Sequence, residues 1–364
     1  MRVLIAPDKF AGTLTAVQAA EAIATGWRRH APGDELDLAP MADGGPGFVD
    51  VLHAALGGSL AAVTVRGPHG EQVPAAVLHV GETAYVESAQ AAGLHLLSGA
   101  ASESPETASS WGVGELVLAA VSAGARKVVV GLGGSGTTDG GAGALGALGA
   151  TSDGVLDGGP AGLASVTSVE LSAARERLSG VRLVAASDVD NPLTGLFGAA
   201  KTFGPQKGIA EDRIADVDAL LEGFATATDR RTSLEKGAGA AGGIGYALLA
   251  LGATREPGIE LVAAAVSLAD RAKAADLVVT GEGAFDFSSR AGKVPYGVAG
   301  VAGEALRPCI ALAGKVLVGA REMRALGIES AYALVDLVGE ERAMRDSADA
   351  LAELAQRAAR TWSR

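Results

Sequence analysis

The chain has 364 residues, 48% of them apolar and 20% charged, so it can bury a large core and fill two domains of roughly 100–200 residues each. A net charge of −12 excludes nucleic acid as the main partner, because a phosphate backbone needs a basic face. No uncharged apolar run of about 18 residues occurs, which excludes a membrane span, and the single Cys309 excludes an internal disulfide framework or a multi-cysteine metal site.

In chain order, residues 3–6 form a short apolar strand running into a polar turn, with none of the long apolar stretch of a signal peptide; the chain reads as cytoplasmic. Thr15 and Gln18 make a capping-box pattern, and Ala19, Ala20, Ile23, Ala24 and Trp27 follow at helical spacing. Residues 36–40 are a second strand, followed by Met41-Ala42-Asp43-Gly44-Gly45 and a helix stopped by Gly57-Gly58. This β-α-β-α opening implies a parallel sheet.

Near Leu60 the pattern changes. Residues 62–66, 73–79 and 83–87 are strands separated by glycine turns, and the polar stretch 98–110 reads as a surface loop. A helix over 115–122 precedes a buried strand over 127–130, which opens into the glycine-rich segment 131–141. Another strand, 181–186, ends in Ser187-Asp188-Val189-Asp190-Asn191-Pro192. From residue 276 the alternation returns, with strands at 277–280, 309–313 and 331–335 and a terminal amphipathic helix at 344–362.

Two strands make no stable sheet alone. Pairing the first two with the last three predicts a discontinuous, doubly wound parallel-sheet domain of residues 1–60 plus 276–364. A second α/β domain, residues 61–275, is inserted and carries the glycine-rich loop.

Doubly wound sheets bind ligands outside the carboxyl ends of their strands. Asp8 and Lys9, Asp43 and Gly44, Glu282 and Asp286, Gly314-Lys315 and Asp336 follow such strands. Asp and Gly are also ordinary turn residues, but several such loops on one sheet edge favour a site. Residues 131–141 lead into a Gly/Ala-rich helix over 142–148, so their backbone N–H groups can cradle an anion at a helix N-terminus, and Ser135, Thr137, Thr138 and Asp139 add hydroxyls and one carboxylate. No Gly-Lys-Ser/Thr closes this loop, so it is not a Walker A motif.

Asp188 and Asp190 lie two apart, an arrangement that is costly unless a cation sits between them or one keeps its proton; an Asx-turn pair is the plain alternative. Mg²⁺ held by one or two carboxylates plus substrate phosphates is the usual kinase arrangement. Lys207 and Lys293 each sit beside a glycine and offer cations, with a solvated surface charge as the alternative. The five histidines lack metal-ligand spacing, and no Gly-x-Ser-x-Gly elbow is present. What remains is phosphoryl-transfer chemistry, which needs positioning, cations and a base rather than a covalent nucleophile.

These motifs are familiar as a set. Ala6-Pro7-Asp8, Met41-Ala42-Asp43-Gly44-Gly45, Gly133-Gly134-Ser135 with Thr138-Asp139-Gly140-Gly141, Asp188-Val189-Asp190-Asn191-Pro192, Phe203-Gly204-Pro205-Gln206-Lys207-Gly208 and Thr280-Gly281-Glu282-Gly283 resemble the type I glycerate kinase family in order and spacing, across essentially the whole chain. The resemblance implies a flavodoxin-like first domain with an inserted α/β domain. It also implies ATP- and Mg²⁺-dependent phosphorylation of D-glycerate at the 2-hydroxyl, giving 2-phosphoglycerate and ADP.

In that setting Asp190 is the expected general base and Asp188 lies nearer Mg²⁺, an assignment that can be swapped. Lys207 and Lys293 neutralise the transferred group, while Gly133, Gly134, Ser135 and Asp139 hold a substrate carboxylate or nucleotide phosphate. Asp8, Lys9, Asp43, Gly44, Asn191, Glu282 and Asp286 complete the expected binding set. The chain departs from the family pattern at Ala11, at Pro46 and in residues 284–289. These departures keep open a kinase for another small hydroxy acid or polyol, or a degenerate nucleotide- or glycerate-binding regulator. The oligomeric state stays open, a homodimer included.

Overall fold

The computed structural model describes residues 1–10, 12–97, 104–286 and 294–363. Thirteen strands run in chain order among the described residues: β1 (Arg2–Ile5), β2 (Glu35–Leu38), β3 (Ser59–Arg66), β4 (Gln72–Val80), β5 (Thr83–Glu87), β6 (Lys127–Gly131), β7 (Thr151–Ser152), β8 (Val169–Glu170), β9 (Arg182–Ala186), β10 (Thr254–Glu256), β11 (Leu277–Phe285), β12 (Cys309–Val316) and β13 (Ser330–Ala333). They divide between two compact units.

Unit 1 comprises Met1–Asp43, Asp50–Leu56 and Ile259–Arg364. Its five strands are all parallel, in the order β13-β12-β11-β1-β2. Numbered within the unit this is 2-1-3-4-5, the flavodoxin-like doubly wound order, whose switch point lies between β1 and β11. Val3, Ile5, Leu277, Val279, Ile310 and Leu312 bury one face of this sheet against the helices Ala16–His30 and Ser347–Trp362. The capping box forms as its sequence pattern requires: Gln18 N donates to Thr15 Oγ1 at 3.1 Å and Thr15 N to Gln18 Oε1 at 3.0 Å.

Several details differ from the sequence expectation, among them residues 44–49 and 57–60, which fall in the inserted unit rather than in the first domain. Residues 259–275 belong to unit 1 rather than to the inserted unit, because the helix Leu268–Ala274 that feeds β11 packs against β1 of the same sheet. The strand expected over 277–280 runs on to Phe285, paired to β12 as far as Val316. Glu282 is therefore a strand residue, level with Ala313.

Unit 2 comprises Gly44–Val49 and Gly57–Gly258. Its six-stranded sheet has the order β10-β9-β6-β5-β4-β3. The first three strands form an antiparallel meander, and β5, β6, β9 and β10 are parallel. A two-stranded ribbon of β7 and β8 stands apart. Register sets Glu87 level with Gly131, Gly131 with Ala186, and Ala186 with Glu256. The loops that leave β5, β6 and β9 thus start from one edge. Among the described residues, no helix is long and apolar enough to cross a membrane.

Candidate functional site

The inserted unit builds its polar centre where β6 gives way to the glycine-rich loop. Valines carry β6 through the core, and at Gly131 the chain turns into a stretch, residues 131–141, in which six of eleven residues are glycine. Gly133 lies so close to Gly45 that an added Cβ would sit 2.6 Å from the Gly45 Cα, so only glycine fits there. Gly44 lies against the Ala186 carbonyl. The Gly134 carbonyl accepts from Leu94 N at 2.8 Å, and Ser135 forms an antiparallel bridge with Gly93. The loop is therefore fixed by backbone pairing on both sides.

Lys207 enters this loop from a short turn, Pro205–Lys207, that follows the helix Ala199–Phe203. Its ammonium donates to the Thr137 carbonyl at 2.6 Å and to Ser135 Oγ at 3.1 Å. The residue is 5% exposed. Burial pulls its pKa down to about 7, against the attraction of Asp139. In the loop that Lys207 enters, the buried hydroxyls of Thr137 and Thr138 have no hydrogen-bond partner among the described residues. Buried polar atoms are rarely left this way. A buried ammonium in a loop that also carries these hydroxyls suits an oxyanion ligand.

A second glycine loop closes behind the lysine. At Gly242 φ is +70°, and an added Cβ would lie 1.9 Å from the Thr137 carbonyl oxygen and 2.8 Å from Lys207 Nζ. Gly140 N donates to the Gly242 carbonyl at 3.0 Å. The two glycine loops are locked to one another with no room for a side chain between them.

Asp139 has a different surrounding from the one its sequence suggests. It is fully buried, and its carboxylate accepts from Ser110 N and Ser110 Oγ, both at 2.8 Å, from Gly141 N at 3.0 Å and from Gly143 N at 3.2 Å. The N–H groups at the start of helix Ala142–Leu148, expected to cradle a ligand, thus hold the protein's own anion. Burial pushes the Asp139 carboxyl upward while these four donors pull it back. Ser110 belongs to the stretch expected as a surface loop, yet it and Ser109 are buried. Its burial was not legible because a Ser-rich run carries no periodicity.

At the carboxyl end of β9, Asp188 is half-buried and Asp190 is exposed. Both oxygens of Asp190 are engaged, Oδ2 with Lys236 Nζ at 3.0 Å and Oδ1 with Arg255 Nη2 at 2.7 Å. The Lys236 ammonium, together with Arg255, holds the Asp190 carboxyl below the ordinary carboxylate range, which lowers its basicity. Arg255 also donates from Nε to the Ser187 carbonyl at 3.1 Å, tying this loop to the end of β10. Asn191 donates to the Phe197 carbonyl at 2.7 Å and to Thr202 Oγ1 at 3.2 Å. Neither Lys236 nor Arg255 follows a predicted strand, so no rule about strand ends singles them out.

Unit 1 gathers its own cluster at the switch point. Asp8 N donates to the Gly281 carbonyl at 2.8 Å, which extends the pairing of β1 with β11 past the strand. Lys9 N donates to Asp8 Oδ1 at 2.7 Å, and Lys9 Nζ lies 3.6 Å from that oxygen and 3.8 Å from Asp43 Oδ1. Burial pushes the Asp8 carboxyl up to about 7, with Lys9 opposing and Asp43 adding to the rise. Glu282 is buried in β11, and Asp286 follows the strand, half-buried. Lys293, Ala11 and residues 287–289 lie outside the described residues.

The structure therefore brings Ser135, Thr137 and Lys207 together in one unit, and Asp8, Lys9 and Asp43 in the other. Comparison with known proteins agrees with these motifs. The model of the glycerate kinase family matches residues 3–363. The chain is 39% identical to a glycerate kinase of Bacillus subtilis strain 168, covering 99% of this chain and 96% of that protein. It is 37% identical to a glycerate 2-kinase of Escherichia coli K12, covering 99% and 98%. A crystal structure from Salmonella typhimurium LT2, assigned as glycerate kinase 2, superimposes with a TM-score of 0.80 at 36% identity over 99% of this chain and 98% of that one. The chain belongs to the glycerate kinase family of phosphotransferase enzymes.

Proposed function

We propose that the protein transfers the γ-phosphoryl group of ATP to the 2-hydroxyl of D-glycerate, releasing 2-phosphoglycerate and ADP. The observation that carries this reading is Lys207, buried against Ser135 and the Thr137 carbonyl, in a loop whose two threonine hydroxyls have no hydrogen-bond partner among the described residues. MgATP, when bound, supplies the phosphoryl group and a divalent charge that offsets its negative charge. No group of three or more His, Cys, Asp or Glu side chains able to hold a metal occurs among the described residues. A cation held by one carboxylate and the nucleotide phosphates fits that donor set, as is usual for Mg²⁺. Asp188, half-buried just past the end of β9, is the carboxylate assigned to it.

Lys207 neutralises charge on the transferred group, and Thr137 and Thr138 donate to its oxygens. Asp190 is assigned to the acceptor hydroxyl. Its reduced basicity is compatible with that role, since the loose transition state of phosphoryl transfer asks more of positioning than of proton removal. Lys236 and Arg255 fix the direction of its oxygens.

The test is ADP release with D-glycerate, ATP and Mg²⁺, with the product identified by carbon NMR. Turnover that requires all three and yields 2-phosphoglycerate is the expected result. A clear preference for another hydroxy acid or polyol would replace the acceptor, and ATP binding without turnover on any acceptor would leave only a regulator.

A further inference from the structure

Unit 1 contains a cavity of about 310 Å³ that none of the roles above uses. It opens at the carboxyl edge of the flavodoxin-like sheet, lined by residues that follow or end four of its strands. These include Phe10 after β1, Gly283 and Ala284 of β11, Lys315 of β12, and Leu334 after β13. That is where a doubly wound sheet receives ligands, beginning at the switch point between β1 and β11. Its size is at the small end of the roughly 300–1,000 Å³ of small-molecule clefts.

The chemistry of the walls restricts the occupant. Leu334, Val335, Ala343 and Met344 make the lining largely apolar. The Phe10 ring lies against β11, its Cζ within 3.5 Å of where a Gly281 Cβ would stand. Gly283 and Gly314, both half-buried, line the cavity where β11 and β12 approach so closely that an added Cβ on Gly314 would lie 2.3 Å from the Gly283 carbonyl. The charged residues of the lining, Lys315 and Glu340, form an ion pair with each other. A three-carbon anion such as glycerate gains nothing from apolar walls and a neutralised cation. A flat, neutral heteroaromatic ring gains from both the apolar walls and the side-chain-free glycine edge.

From these walls, together with the phosphoryl donor proposed above, we infer that the cavity takes the purine base of the nucleotide. The base is held by Phe10, Met344 and the glycine faces of β11 and β12, while Lys315 and Glu340 close the cavity as a neutral pair.

Two substitutions test this without disturbing the core. Ala284 is exposed and lines the cavity, so Ala284→Phe fills it. Met344 is 59% exposed, so Met344→Glu places a charge on the wall. Each should raise KM for ATP about ten-fold or more, with KM for D-glycerate within about two-fold of wild type, the split that marks loss of binding to one substrate. Photolabelling with 8-azido-ATP should mark peptides containing residues 283–284 or 334–344, and labelling should fall in both variants. If the wild type uses ATP normally, yet both folded variants keep its KM for ATP and the label falls only on other peptides, the inference is overturned. A wild type with no ATP-dependent turnover would instead remove the proposed reaction, and labelling of the cavity peptides would still report the base site.

Discussion

The Lys207 ammonium donates to the main-chain carbonyl of Thr137 at 2.6 Å, so the cation is fixed by the backbone of the glycine loop it serves. Lys207→Met should fold, because it exchanges a buried charge for an apolar chain of similar length. We expect kcat/KM to fall by about 10²–10³-fold, the scale for removing one preorganised group that stabilises developing charge. Lys207→Arg should not restore it, since the backbone of Gly242 leaves no space for a guanidinium beyond Nζ. Steady-state kinetics with thermal unfolding of each variant decide the matter. Unchanged kcat/KM in folded Lys207→Met would remove the lysine from the reaction.

Gly242→Ala tests the second loop. The alanine would be strained at φ +70°, and its Cβ would meet the Thr137 carbonyl at 1.9 Å. Left-handed strain alone costs about 1–3 kcal/mol, and the clash with backbone adds to it. We expect a lower melting temperature together with lost activity, because the carbonyl displaced is the one that holds Lys207. A variant as stable and active as the wild type would show that the loops are not locked.

Ser110 is the donor that Asp139 can lose most simply. Ser110→Ala removes one hydroxyl donor to a buried carboxylate and the acceptor of Ala144 N at 3.1 Å. About 1–3 kcal/mol of stability should be lost, measured by urea unfolding. Asp139→Asn should cost more, because an amide cannot accept from all four donors at once. If either change leaves stability intact, Asp139 is not the anchor of this loop.

Asp190 provides a kinetic check on its own role. Its carboxyl titrates below the ordinary range because Lys236 and Arg255 face it, so as the group that receives the acceptor proton it imposes no acid limb on kcat/KM between pH 5 and 8. Lys236→Ala with Arg255→Ala should move that limb upward toward the ordinary carboxylate range. A wild-type acid limb centred near pH 7 would point to Asp8, whose carboxyl is pushed to about 7, and away from Asp190.

How much of this was legible in the sequence differs from residue to residue. The valine run of β6 and the glycines after it announce a buried strand running into a glycine loop, and both are present. The alternation of strands and helices at both ends of the chain also implies the five-stranded parallel sheet. Strand β10 was invisible: Thr254–Glu256 is three residues long, two of them charged, and pairs only because β9 offers an edge. Asp139 reads as a ligand group because nothing local reveals that Ser110, 29 positions earlier, supplies two of its donors. The cations on Asp190 come from Lys236 and Arg255, 46 and 65 positions later, partners that only the folded backbone brings together. Local pattern exposes elements and loops; the partners of a charge come from topology.

The last prediction concerns Asp8 and the pH dependence of stability. In the folded protein its carboxyl is pushed from the ordinary 3.8 to about 7, chiefly by burial. Between those values the folded state keeps a proton that the unfolded chain has released. Stability from this group is therefore fully present below about pH 3.8 and is lost as pH rises to about 7. Asp8→Asn cannot ionise, and its side-chain oxygen can still accept from Lys9 N. It should be more stable than wild type at pH 8.5, with the difference shrinking as pH falls toward 4. Lys9 does not reverse this sign, since it is partly exposed and keeps Asp43 as a neighbour. Thermal melts of both proteins from pH 4 to 9 measure the difference directly. A variant less stable than wild type at pH 8.5 would mean that the ionised Asp8 is held favourably by Lys9 and that burial does not dominate at this position.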